Sequence, residues 1–162
     1  MAYKFNGIKV NEMEIRKLNR DEIVPFELLL LADPSKVIVE EYVKRGECFI
    51  ATLNNQTIGV YVLLSTRPKM IEIVNVAVLE QYQGKGIGKQ LVTDAISRSK
   101  QNGYKTIEIG TGNSSIGQLA LYQKCGFRMI GVERDFFLKH YSQKIFENGI
   151  QCKDRIRLSQ EL

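Results

Sequence analysis

The sequence predicts a mixed α+β fold, a mostly antiparallel central sheet flanked by helices, and three observations predict it. Apolar spacing changes from helical to alternating at Glu47 and stays alternating as far as Leu79. A glycine-rich turn, Gln83-Gly84-Lys85-Gly86-Ile87-Gly88, then opens a run with helical spacing. From Thr106 onward, short strands alternate with one further helix.

Taken in order, residues 12–18 alternate imperfectly and read as a first strand. Asn19 is placed to cap a helix from Arg20, with Pro25 near its first turns and the break at Asp33-Pro34. Ser35 caps a second helix whose inward positions are Val37, Val39, Tyr42 and Val43, ending at Gly46. Strands follow over residues 48–53, 57–66 and 69–79, with Asn54-Asn55-Gln56 as a tight turn, and together they read as an antiparallel meander. Ile87, Leu91, Val92, Ala95 and Ile96 share one helix face, which Asn102-Gly103 stops. Residues 106–110 form a strand, Ser114 or Ser115 opens a helix that closes at Gly126, and residues 127–132 and 150–158 supply two last strands. Between those two lies a long, partly aromatic connection, residues 133–149, of a length that is often functional inside a compact domain.

At 162 residues, with no internal repeat or linker, the chain reads as a single domain spanning 1–162. Its 44% apolar and 25% charged content excludes disordered and collagen-like classes. The longest apolar stretch, residues 24–32, contains Pro25 and Glu27 and falls short of the roughly 20 residues a membrane span needs. Residues 1–6 lack the apolar run of a signal peptide, so the expectation is a soluble, cytoplasmic chain without a membrane partner. The net charge of +5 favours a phosphate-bearing partner, but the basic residues are dispersed, with no nucleic-acid run. Three widely spaced cysteines and a single histidine, His140, argue against structural zinc, any other metal site and a disulfide framework.

The glycine-rich turn is the chemically informative feature. Glycines permit close approach to the backbone. The unpaired N–H groups of the following helix, at the positive end of its dipole, favour a bound phosphate. Lys85 and Lys89 add charge on the same rim. The alternatives fit poorly: G-x-x-x-x-G-K-[ST] is absent, and Lys89 occupies the third glycine position of a dinucleotide-binding G-x-G-x-x-G.

Gln83, Gly86 and Gly88 match, in order, the Gln/Arg-x-x-Gly-x-Gly/Ala signature of the acetyl-CoA loop in the GNAT N-acetyltransferases. Leu121-Tyr122-Gln123-Lys124-Cys125-Gly126-Phe127 resembles the second landmark of that family, a helix ending in Tyr-x-x-x-Gly-Phe. The order of elements over residues 12–158 resembles the GNAT fold as well. The resemblance implies an acyltransferase that moves the acetyl group of acetyl-CoA directly to an amine. It implies that main-chain groups of Gln83, Gly84, Lys85, Gly86, Ile87 and Gly88 hold the pyrophosphate, with Lys85 and Lys89 as charge contacts. It further implies that Val78 main-chain groups hold the pantetheine and that the Val76 N–H faces the thioester carbonyl.

An amine of pKa about 10.4 must lose a proton before it attacks, at a cost of about 4.6 kcal/mol at pH 7. Glu72 stands six residues before Val78, the spacing at which the histone-acetylating branch of the family carries its glutamate base; ordered water is the alternative. By the same resemblance, Tyr122 protonates the departing thiolate. Where the family has an asparagine seven residues before the tyrosine, this chain has Ser115, with Asn113 two residues earlier; either reaches the pantetheine or caps the helix.

Acceptor choice is expected to lie with residues 32–35 and 133–149, the latter holding Asp135, Phe136, Phe137, Tyr141, Phe146, Glu147 and His140, a second base candidate. The acceptor expected is a small-molecule primary amine. The alternatives are a protein N-terminus or lysine, or a CoA-binding module without turnover. By analogy with the family, a homodimer is expected.

Overall fold

The middle of the chain alternates apolar and polar residues, and in the computed structural model, which describes residues 4–5, 8–9 and 12–162, that alternation is a sheet. The strands are β1 (Lys4–Phe5), β2 (Ile8–Lys9), β3 (Glu14–Lys17), β4 (Glu47–Leu53), β5 (Gln56–Arg67), β6 (Met70–Val78), β7 (Thr106–Gly112), β8 (Arg128–Glu133), β9 (Ile145–Glu147), β10 (Ile150–Cys152) and β11 (Arg155–Glu161). The helices are α1 (Phe26–Ala32), α2 (Lys36–Arg45), α3 (Ile87–Gln101), α4 (Ile116–Lys124) and α5 (Phe136–His140). Seven strands hydrogen-bond in the order β3-β4-β5-β6-β7-β11-β8, while β1–β2 and β9–β10 are separate pairs. The β6–β7 pair is parallel, from Met70↔Thr106 to Ile73↔Ile109, whereas β3–β4, β4–β5, β7–β11 and β8–β11 are antiparallel. The mixed, mostly antiparallel expectation is therefore met.

Contacts divide the chain into two units, Met1–Leu64 with Val74–Ala95, and Ser65–Ile73 with Ile96–Leu162. In the first, Leu29, Val39, Tyr42, Ile50, Val60 and Ala77 form a buried apolar cluster. Asn75, buried in the middle of β6, donates to the Leu29 carbonyl at 3.0 Å and to the Tyr42 hydroxyl at 2.7 Å, tying α1 and α2 to one strand. In the second unit Ile107, Ile109 and Leu158 are buried on β7 and β11, and the charged residues between them share the opposite face.

Four element expectations are corrected. The first helix starts at Phe26, not Arg20: the Arg16 guanidinium grips both oxygens of Glu22 at 2.6 and 2.8 Å, and Glu22 accepts the Asn19 N–H at 2.7 Å. That fold-back spends residues 20–25 on a turn, and Arg16 holds the Glu22 carboxyl down to about 2. Of the expected inward positions of α2, Val37 faces solvent at 78% exposure; Ser35 does cap α2 through Ile38, and Val39 and Tyr42 point inward as expected. The last predicted strand is two, β10 and β11, because Lys153 and Asp154 turn aside: the Asn113 Oδ1 accepts both their N–H groups, at 2.8 and 3.0 Å. The long connection is not structureless either, since it holds α5 and β9.

Candidate active site

In the first unit, the chain leaves β6 at Val78 and makes a 3-10 turn over Glu80–Tyr82. Gln83 closes the turn, its Nε2 donating to the Val78 carbonyl at 2.9 Å. Gly84 and Gly86 stand at φ +72° and +83°, where side chains are strained, and a Cβ on either would meet nothing within 4 Å. Ile87, 8% exposed, anchors α3, whose first main-chain bond runs from Gln90 to the Gly86 carbonyl at 3.2 Å. The N–H groups of Ile87, Gly88 and Lys89 precede that bond, so the helix itself offers them no acceptor. Lys85 lies over the Tyr82 ring at 5.5 Å, and Lys89 is exposed on the same helix end. Open glycines, amides to which the helix offers no acceptor and two cations suit an anion. Val76 and Val78, half-buried, alternate with buried Asn75 and Ala77 on the strand that leads into it.

In the second unit, Glu72 stands directly beside Glu108 in the β6–β7 register, two like charges that need compensation. Compensation comes from β11. The Arg155 Nη2 bonds the Glu72 Oε1, its Nη1 bonds the Glu133 Oε1 at 2.7 Å, and Arg157 approaches Glu108 at 3.4 Å and Glu133 at 3.6 Å. Burial pushes the Glu72 carboxyl above its ordinary range, and the opposing pull of Arg155 does not cancel it. Glu72, the candidate base of the sequence reading, is thus a half-buried carboxylate with a guanidinium attached. Arg155, Arg157, Glu108 and Glu133 were not anticipated. The signal that marks them is charged residues alternating with isoleucine and leucine, as in Ile107-Glu108-Ile109 and Arg155-Ile156-Arg157-Leu158.

Tyr122 lies in the last turn of α4, which ends in a specific closure. Phe127 N–H bonds the Tyr122 carbonyl and Gly126 N–H the Gln123 carbonyl, both at 3.0 Å, with Gly126 at φ +99°. This paired bonding terminates a helix at a left-handed glycine and brings the flanking apolar residues together. The Tyr122 and Phe127 rings accordingly meet edge-on at 6.3 Å. The Tyr-x-x-x-Gly-Phe spacing is the spelling of this cap. Tyr122 is 4% exposed, and burial raises its phenol well above the usual value, keeping the proton on.

Besides holding Lys153 and Asp154, the Asn113 side chain donates from its Nδ2 to the Gln151 carbonyl at 3.1 Å. Ser115 is the N-cap residue of α4, yet its hydroxyl makes no cap bond and pairs with Glu147 at 3.1 Å. His140, exposed at the end of α5, lies 4.6 Å from the Phe136 ring. The predicted residues thus divide: Val76, Val78 and residues 83–89 belong to the first unit, Glu72, Asn113 and Tyr122 to the second. Among the described residues, no group of three or more His, Cys, Asp and Glu side chains could hold a metal ion, and no helix is long and apolar enough to cross a membrane.

The sequence model of the Acetyltransferase (GNAT) family matches residues 15–127. YvbK, an uncharacterized N-acetyltransferase of Bacillus subtilis strain 168, is 59% identical over 93% of this chain and 96% of its own length. A GNAT family acetyltransferase from Elizabethkingia anophelis with acetyl-CoA bound superposes with a TM-score of 0.92 at 46% identity, covering 94% of this chain and 99% of the other. A Bacillus subtilis acetyltransferase in complex with CoA gives 0.88 at 58% identity, over 93% and 99% of the two chains.

Proposed function

Because the chain belongs to the GNAT acetyltransferase family and is an acyltransferase enzyme, we propose that it moves the acetyl group of acetyl-CoA directly to a primary amine of a small molecule. The observation that carries the cofactor half is the loop of residues 83–89, two glycines at positive φ opening onto a helix start with Lys85 and Lys89 beside it. The diphosphate of acetyl-CoA sits on those amides, and the main chain of Val76 and Val78 takes the thioester carbonyl and the pantetheine.

The nitrogen must lose two protons and the sulfur must gain one. The incoming ammonium gives its proton to Glu72, directly or through water, and the freed nitrogen bonds the thioester carbon. As the C–N bond forms, the C–S bond breaks and the thiolate takes the Tyr122 proton. Solvent then collects the proton on Glu72 and the second proton of the acylated nitrogen, leaving the neutral amide, and restores the one on Tyr122. Burial suits both groups: it makes Glu72 a better base and keeps Tyr122 protonated.

Thiol release from acetyl-CoA, followed with a thiol-reactive dye across polyamines, aminoglycosides, amino acids and short peptides, tests the reading and selects the acceptor class. Acceleration by a small amine is the expected result. Acceleration by peptides alone would move the acceptor to a protein N-terminus or lysine, and a flat panel with intact acetyl-CoA binding would leave a binding module. Glu72→Gln should lower kcat about 10²-fold or more while acetyl-CoA affinity stays unchanged; an unaltered rate at pH 7 would remove Glu72 as the base.

A further inference from the structure

Arg155 is held from four sides. Its Nη2 bonds the Glu72 Oε1 and its Nη1 the Glu133 Oε1 at 2.7 Å. The Phe136 ring of α5 lies 5.4 Å from its Cζ. Beneath it is Gly110 of β7, where a Cβ would come within 2.7 Å of both Cζ and Nη2, so a bare backbone is the condition for this rotamer. The side chain is only 21% exposed and the Glu72 side chain 16%. A surface ion pair worth little would not need a glycine floor, an aromatic wall and a second carboxylate. What this housing achieves is a fixed guanidinium plane, and through it a fixed carboxylate.

We propose that Arg155 is a positioning residue of acetyl transfer: it grips Oε1 of Glu72 so that Oε2 is presented to the proton of the incoming amine. The proposal rests on the reading of Glu72 as the base. Arg155 also sets the charge balance there. The groups facing Glu72 are Arg155 and Arg157 from β11 and Glu108 from β7, with Glu133 of β8 holding Arg155 from behind. Unpartnered, Glu72 would sit half-buried beside Glu108 and hold its proton more tightly, and a protonated carboxyl cannot take the proton of the amine. Arg155 favours the ionised form without exposing it to water. Removing the guanidinium therefore moves the Glu72 carboxyl upward, and the acid limb of the rate profile moves with it to higher pH.

The test uses the full chain, acetyl-CoA and the panel amine that gives the fastest thiol release, with a 13C-NMR titration of the Glu72 carboxyl that needs no acceptor. Arg155→Gln is expected to lower kcat by about 10²-fold, with KM for acetyl-CoA within about twofold, and to raise the acid limb and the titration midpoint together. Arg155→Lys keeps the charge but not the fork, so the acid limb returns toward wild type while kcat stays low. Guanidinium at millimolar concentration should restore part of the activity of Arg155→Ala. Should Arg155→Gln fail to fold, Gly110→Ala displaces the guanidinium with every charge retained and is expected to lower kcat in the same way. If Glu72→Gln is inactive while Arg155→Gln and Gly110→Ala keep wild-type kcat and acid limb, the positioning role is wrong and the base stands. Wild-type activity in Glu72→Gln overturns both.

Discussion

Tyr122 shows how one residue joins packing to chemistry. Its ring belongs to the cap of α4, against Phe127, and its hydroxyl is the proposed proton donor. Phenylalanine keeps the first duty and loses the second. Tyr122→Phe is therefore expected to hold its melting temperature within about 2 °C and to lose about 10²-fold in kcat. Burial adds a pH signature. Because the phenolate is the disfavoured form, the pKa rises, and ionisation of Tyr122 should not limit the rate as pH approaches 10. An alkaline limb near 9 that vanishes in Tyr122→Phe would contradict this. The same burial defeats sequence reading. The motif locates the tyrosine, but nothing local says that Arg155, 83 positions after Glu72, shares a face with that carboxylate. Linear spacing reports neighbours on one element, whereas this pairing depends on β11 folding back beside β7.

At the scale of the element, α4 carries two glycines whose roles oppose. Gly126 sits just beyond the helix at φ +99°, and a Cβ there would press on the Gln160 amide, 3.2 Å from its Cδ. Gly117 lies in the first turn with helical backbone and open space around it. Alanine at 126 should cost about 1–2 kcal/mol from the left-handed conformation alone, a drop of about 2–8 °C for a chain of this size. Alanine at 117 should instead stabilise by about 0.4–1 kcal/mol, by narrowing the unfolded ensemble. Thermal unfolding of the two single variants separates them, and equal signs would refute the account. Elements were the legible level. Alternation found the meander, Ser35 found the start of α2, and Gly103 and Gly126 the ends of two helices. The misreadings share one cause. Asn19 looked like a cap, yet its N–H is taken by Glu22; Ser115 looked like a cap, yet its hydroxyl is taken by Glu147. Small polar residues bond whichever partner arrives, near like Glu22 or far like Glu147, and the residue type alone does not say which.

For the molecule as a whole, the proposed anion cradle of residues 83–89 makes a claim about stability. A ligand that binds only the folded chain stabilises it by RT ln(1 + [L]/Kd), about 2.7 kcal/mol at a hundredfold excess over Kd. For a domain of this size that is a rise of about 5–11 °C in melting temperature. Acetyl-CoA and CoA should both produce it. The shift should shrink with added salt, since the chain carries +5 and the cradle's Lys89 faces water, where charge contacts are screened, with Lys85 half-buried beside it. Gly86→Val isolates the loop. Position 86 has φ +83° and no atom within 4 Å of a built Cβ, so valine strains one turn and covers the amides without disturbing any core. The variant should melt within a few degrees of wild type when free and show almost no rise with acetyl-CoA. A full rise in Gly86→Val would mean that the cofactor is held elsewhere, and the reading of residues 83–89 would fail with it.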